Sequence, residues 1–270
     1  SYHQSTKDPY GNIYLTDSKS TYNNAGRIIS VVSKDKQINR DLSTSENETT
    51  TTYEYDADNN LRSAAGKSVL KGEDGFLNMY EGTTDYNYGI INGQLKLIST
   101  ANRINYDNAD GATSTATSFV EYKYNDKNMT VDADGFTTSE GLDTFGNKSS
   151  SKTIDTYKVI ASQARRVKSV TTNDSDDIFG SNTHSENVVE YVYNDMGDVI
   201  DASGYTDTIG TDVFGDAFST HTVHEYAIIN GQAKVIRSET GGNLVNPFSD
   251  LGSMLMDLED KLQSYIGMGE

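Results

Sequence analysis

The sequence contains no cysteine, no tryptophan and only 2 prolines in 270 residues. Without cysteine there are no disulfides, thiolate metal sites or thiol nucleophiles. Total absence of that residue leans towards an exported bacterial product, extracellular or at the cell surface. The chain starts at Ser1 rather than methionine, as a processed chain or a trimmed one would. No apolar run approaches the ~18 residues of a membrane span, so no membrane insertion is expected. Cations are scarce: Lys+Arg 22 against Asp+Glu 40 leaves a formal charge of −18. Nucleic-acid binding needs a basic face, and Arg165-Arg166 with nearby Lys168 reads only as a short basic edge on one strand. Nucleophile elbows, phosphate loops and zinc-hydrolase motifs are missing. Carboxylates are spread so evenly that none stands out as an acid–base pair, and no enzyme is expected.

What the chain does have is tyrosine, 18 copies, together with much serine and threonine. These strand formers favour sheet over helix, and they recur with a period. Tyr-x-Tyr occurs at Tyr53/Tyr55, Tyr122/Tyr124 and Tyr191/Tyr193, a step of 69 residues each time. The same step relates Tyr88, Tyr157 and Tyr226; Asp74, Asp143 and Asp212; Phe76, Phe145 and Phe214; and Gly66, Gly135 and Gly204. Ile90-Ile91-Asn92-Gly93-Gln94 reappears as Ile228-Ile229-Asn230-Gly231-Gln232, whereas the middle copy, Val159-Ile160-Ala161-Ser162-Gln163, has lost Asn-Gly. Tyrosines 53, 88, 122, 157, 191 and 226 step by 35 and 34, which marks a half-period. Asp8-Pro9-Tyr10-Gly11-Asn12 resembles Asp143-Thr144-Phe145-Gly146-Asn147, but Tyr10 to Phe76 is 66, three residues short.

Alternating letters broken by Asn, Asp and Gly are strand and turn signals, not those of a helical repeat. Asn-Gly between strand-like runs is a strong hairpin signal, because a type I′ turn needs φ > 0 twice. Each half-unit therefore reads as one hairpin plus a longer polar excursion. Tandem units share one extended core, since a single unit cannot bury its own apolar face. The expected fold is all-β: tandem antiparallel hairpins in an elongated stacked sheet, as one continuous domain. A partial N-terminal repeat spans 1–52, full units 53–121 and 122–190, and a truncated unit 191–245.

Tyr191-Val192-Tyr193-Asn194-Asp195-Met196-Gly197-Asp198-Val199 resembles the tyrosine-aspartate (YD) repeats of bacterial Rhs-like surface and toxin-delivery proteins. Tyr53–Leu61, Tyr22–Ile28 and Tyr122–Asn125 are similar in part. The resemblance implies antiparallel hairpins in a curled sheet and an extracellular setting.

Residues 246–270 change character. After Asn246-Pro247-Phe248-Ser249, a plausible helix entry, Leu251, Met254, Leu255, Leu258, Leu262, Tyr265 and Ile266 fall on one stripe of an amphipathic α-helix. That stripe either caps the last repeat or docks on another subunit, which makes it the candidate assembly surface. Among the four histidines, His221 and His224 are the close pair, but a spacing of three on a strand points them to opposite faces. Oxygen-rich clusters at Asp56–Asn60, Asp107–Gly111, Asp132–Gly135 and Asp174–Asp177 read as turns that calcium would fit structurally. Asp and Asn are also ordinary turn residues, so no cofactor is assigned. The functional expectation is a structural protein that self-associates head-to-tail into a filament or matrix fibre. The alternative is an adhesin whose exposed tyrosines stack on glycans.

Overall fold

The computed structural model describes residues 1–242. These form fifteen strands and no helix. The first nine are β1 Tyr2–Lys7, β2 Ile13–Tyr22, β3 Ile28–Ile38, β4 Thr44–Tyr55, β5 Leu61–Glu73, β6 Met79–Ile91, β7 Gln94–Asp107, β8 Thr113–Tyr124 and β9 Thr130–Leu142. The remainder are β10 Lys148–Ile160, β11 Gln163–Asp176, β12 Asn182–Tyr193, β13 Val199–Thr211, β14 Ala217–Ile229 and β15 Gln232–Gly242. Strand order in the open sheet follows the chain, β1 through β15. The chain divides into two compact units, 1–148 and 149–270. The expected helix of 246–270 lies outside the described residues.

Every connection is a tight turn, of one of two designs. Eleven are five-residue turns that begin with Asp or Asn, from 8–12 to 212–216. In each, the first residue's N–H donates to the fifth residue's carbonyl and its own carbonyl accepts from the fourth residue's N–H. The fourth residue always has positive φ: Gly at 11, 26, 111, 146, 180, 197 and 215, Asn at 59 and 128, Leu at 42 and 77. The other three are two-residue turns, Asn92-Gly93, Ala161-Ser162 and Asn230-Gly231, with positive φ at both positions. Ala161 (φ 52°) and Ser162 (φ 63°) thus hold the left-handed geometry without Asn or Gly, a strained choice for L-residues.

Turn design also explains the periods. A two-residue turn follows β6, β10 and β14, and each closes a longer hairpin: Tyr88 precedes Asn92 by four residues, whereas Tyr124 directly precedes Asn125. Half-units counted between structurally equivalent tyrosines therefore alternate 33 and 36: 55, 88, 124, 157, 193, 226. The turn after β2, 23–27, is of the five-residue kind, which makes the first copy three residues shorter.

The polar excursions expected within each half-unit do not exist. Ser/Thr-rich stretches such as Thr44–Thr52 and Thr113–Ser118 are strand throughout, within β4 and β8, so a half-unit is two strands and two turns. A sheet wetted on both faces has no need of strict apolar alternation, and β-branched threonine suits an extended backbone. Side-chain hydrogen bonds run across the strands in place of apolar pairs. Thr153 meets Thr171 at 2.9 Å, Asn187 meets Thr206 at 2.8 Å, and Thr222 meets Thr240 at 3.0 Å.

The apolar core is correspondingly thin. Among the described residues the buried hydrophobics are Ala64, Ala133, Ile154, Val170, Val188 and Ala202. Ala64, Ala133 and Ala202 recur at 69, and each pairs with the first tyrosine of a Tyr-x-Tyr: Tyr53, Tyr122 and Tyr191. The opposite face carries its own rows, Ala101–Phe119–Phe136 in the first unit and Val170–Val188–Tyr205 in the second. Phe119 and Phe136 pack with centroids 5.8 Å apart. The periodic glycines serve this packing. A Cβ on Gly66 would sit 3.3 Å from the Tyr86 side chain, and one on Gly204 would meet the Val188 carbonyl at 2.5 Å and the Tyr226 hydroxyl at 3.0 Å.

Candidate assembly site

The stripe read from the sequence, Leu251, Met254, Leu255, Leu258, Leu262, Tyr265 and Ile266, lies outside the described residues. The candidate surfaces are therefore built from tyrosines, turns and sheet edges.

The second tyrosine of each Tyr-x-Tyr follows a β-bulge, at Glu54/Tyr55, Lys123/Tyr124 and Val192/Tyr193. The bulge adds a residue to one strand and re-aims the next side chain. That side chain reaches back to the preceding strand: Tyr55 Oη donates to the Ile28 carbonyl at 2.8 Å, Tyr124 to Leu97 at 2.7 Å and Tyr193 to Arg166 at 2.7 Å. The acceptors 28, 97 and 166 are again 69 apart. Burial raises the phenol pKa of Tyr88, Tyr124, Tyr193 and Tyr226. The landmark tyrosines of the repeat, the Tyr-x-Tyr pairs with Tyr88, Tyr157 and Tyr226, are half-buried, and the hydroxyls of Tyr55, Tyr124 and Tyr193 hold backbone carbonyls, so their geometry is that of structural pegs.

The most exposed aromatics sit elsewhere, on the five-residue turns after odd-numbered strands. In the first unit Tyr10 is 78 %, Phe76 81 % and Phe145 77 % exposed, with Leu42 at 80 % and Leu77 at 68 % beside them. Adjacent turns are tied together. The Asn12 side chain accepts from the Arg40 N–H at 3.1 Å and the Asn78 side chain from the Ala109 N–H at 3.0 Å. Tyr10, Asn12, Asn39, Arg40 and Asp41 line a shallow depression. In the second unit Phe179 and Phe214 occupy the same turn position.

The turn carboxylates are engaged with the backbone. One Asp56 oxygen accepts from the N–H groups of Asp58 and Asn60 at 3.0 and 2.8 Å, and Asp74 and Asp143 repeat the arrangement. Two of the clusters read as turns are strand instead. Asp132 and Asp134 lie on β9, one face towards Lys123 Nζ at 2.9 and 3.5 Å. Asp174 and Asp176 lie on β11, where Asp174 bonds His184 across the strands. The cause is again the two-sided wetting, which lets Asp stand in mid-strand. Among the described residues no group of three or more His, Cys, Asp or Glu is placed to hold a metal ion.

No family model matches the chain. Nor does any curated protein match it.

The histidines are cross-strand partners. His3 meets Asp17 at 2.6 Å and His221 meets Asp207. His224 bonds Thr206 and Ser238 at 2.8 and 2.9 Å. His221 and His224 thus have separate partners. The basic run lies on β11: Arg166 stacks over the Tyr191 ring at 5.2 Å and Lys168 reaches Glu190 at 3.4 Å.

The remaining feature is the pair of sheet margins. β1 is exposed at all six residues. β15 is the last strand of the order, with Val235 51 % and Ile236 58 % exposed. Such edges present a row of unpaired backbone groups, which natural sheets ordinarily blunt or cover. Sequence reasoning placed the contact at the N-terminal partial unit, where β1 lies, and at the C-terminal stripe, and it passed over β15. The signal was there: 191–245 is a repeat that stops before its next Tyr-x-Tyr.

Proposed function

We propose that this chain is a non-enzymatic structural protein of the bacterial exterior, a subunit that adds head-to-tail to copies of itself in a surface filament or matrix fibre. The observation that carries this reading is the open sheet, in which, among the described residues, no strand pairs with the outer edge of β1 or of β15. Non-identical margins make a contact that propagates without closing. The acidic charge keeps free subunits apart and soluble. The likeness of Tyr191–Val199 to YD repeats agrees with an extracellular place.

Sedimentation and negative-stain microscopy over a concentration series test it. Assemblies that lengthen with concentration are expected; a monomer at every concentration would reject the reading.

The exposed turn aromatics favour a second reading, adhesion to glycans, with Tyr10, Phe76 and Phe145 rather than the landmark tyrosines as stacking groups. Glycan binding lost in Tyr10→Ala and Phe76→Ala would support it.

A further inference from the structure

We infer that the free edge of β15 is an acceptor for one kind of strand: an extended segment of a partner polypeptide that carries Glu-Tyr-x-Tyr and pairs antiparallel. The inference concerns the β15 edge, which head-to-tail assembly would also use, so the partner strand and the β1 of a second copy compete for it.

The repeat supplies the template. β3, β7 and β11 are each followed by a strand ending in Tyr-x-Tyr: β4, β8 and β12. β15 is the next strand of that kind, since Gln94, Gln163 and Gln232 begin β7, β11 and β15 at steps of 69. Among the described residues no strand lies beyond it.

The hydroxyl-accepting carbonyl of all three earlier pairs recurs on this edge, and so do a cation of the β11–β12 pair and two apolar residues of the β7–β8 pair. The carbonyls that accept a tyrosine hydroxyl, Ile28, Leu97 and Arg166, continue to Val235 at the same step. Lys168, which is in register with Glu190 and ion-paired to it, corresponds to Arg237. Arg237 is bonded instead to Glu239 two residues along its own strand. Leu97 and Ile98, half-buried beside β8, correspond to Val235 and Ile236, both exposed by more than half. The edge therefore offers main-chain pairing together with a carbonyl, a cation and two apolar side chains at fixed places, which is how strand addition gains specificity. Shifting the β11–β12 register by one unit sets the incoming glutamate opposite Arg237 and aims the hydroxyl of its second tyrosine at Val235.

The test uses the full chain and a labelled synthetic peptide with the sequence of 182–193, read by fluorescence anisotropy and by hydrogen exchange over 232–242. Saturable binding with new amide protection confined to that stretch is expected. A peptide with Phe at the position of Tyr193 should bind about 2- to 10-fold more weakly, the loss of one hydrogen bond. Arg237→Glu in the protein, with its circular dichroism unchanged, should weaken binding as well. A peptide with the sequence 1–12, which lacks Tyr-x-Tyr, should bind least. Absence of saturable binding up to about 1 mM, protection outside β15, or equal affinity for the Phe or 1–12 peptides would each overturn the inference. Light scattering of the protein alone reports on polymerisation, so failure of the partner-strand reading is distinguishable from failure of head-to-tail assembly.

Discussion

A left-handed turn residue with a Cβ is held there by its neighbours and not by its own preference. Ala161 and Ser162 are the clearest instance, because the equivalent turns at 92–93 and 230–231 carry Asn-Gly. The double substitution Ala161→Asn with Ser162→Gly should stabilise the protein by about 1–2 kcal/mol, the relief of the left-handed penalty. Urea unfolding of the variant beside the parent measures it, and an unchanged midpoint would show that the turn is not strained. Leu42 and Leu77 pose the same question with the opposite emphasis. Each is a left-handed, largely exposed leucine where seven sister turns use glycine.

Strands and turns were unequally legible. The turn chemistry stood in plain letters: Asp or Asn first, glycine fourth, and Asn-Gly where two residues suffice. Ala161-Ser162 carried no such letters, and only its place in the period revealed it. The outer halves of the strands read as excursions because Ser, Thr and Asp there satisfy no apolar pattern. They bond one another across the sheet instead, as Thr49 does with Ser68 at 3.2 Å. The bulge before Tyr55, Tyr124 and Tyr193 leaves no trace in the letters, so a period read from the letters alone sets equivalent tyrosines out of phase. Glycine spacing was visible, though its reason was not. Gly204→Ala should cost about 1–3 kcal/mol, because the new methyl meets the Val188 carbonyl and the Tyr226 ring. Gly241→Ala meets nothing within 4 Å and should leave the thermal midpoint nearly unmoved. Equal effects of the two changes would show that ring packing is not what these glycines serve.

For the whole molecule, acid is the condition to which these contacts are most sensitive. Lys36 and Lys71, in register on either side of Glu46, lower its pKa from 4.5 to about 2. Hydrogen bonds from the fifth turn residue and its neighbours hold Asp56, Asp74, Asp143 and Asp177 below the ordinary carboxylate value. A carboxylate whose pKa is lower folded than unfolded stabilises the fold above the unfolded value and loses that contribution as pH falls through the folded one. The thermal midpoint should therefore fall as pH drops from about 4.5 towards about 2. Glu46→Gln should flatten part of that decline. A midpoint that holds steady across this range would mean that the turn carboxylates do not secure the hairpins.

The alternation of long-armed and short-armed hairpins fixes how such a gene can grow. Losing or gaining 69 codons leaves every surviving link matched to its arms, whereas 33 or 36 would splice arms cut for an Asn-Gly onto a wider loop. Paralogues of different length should accordingly differ by whole quartets of strands, and unequal crossing-over between copies becomes a safe route to them.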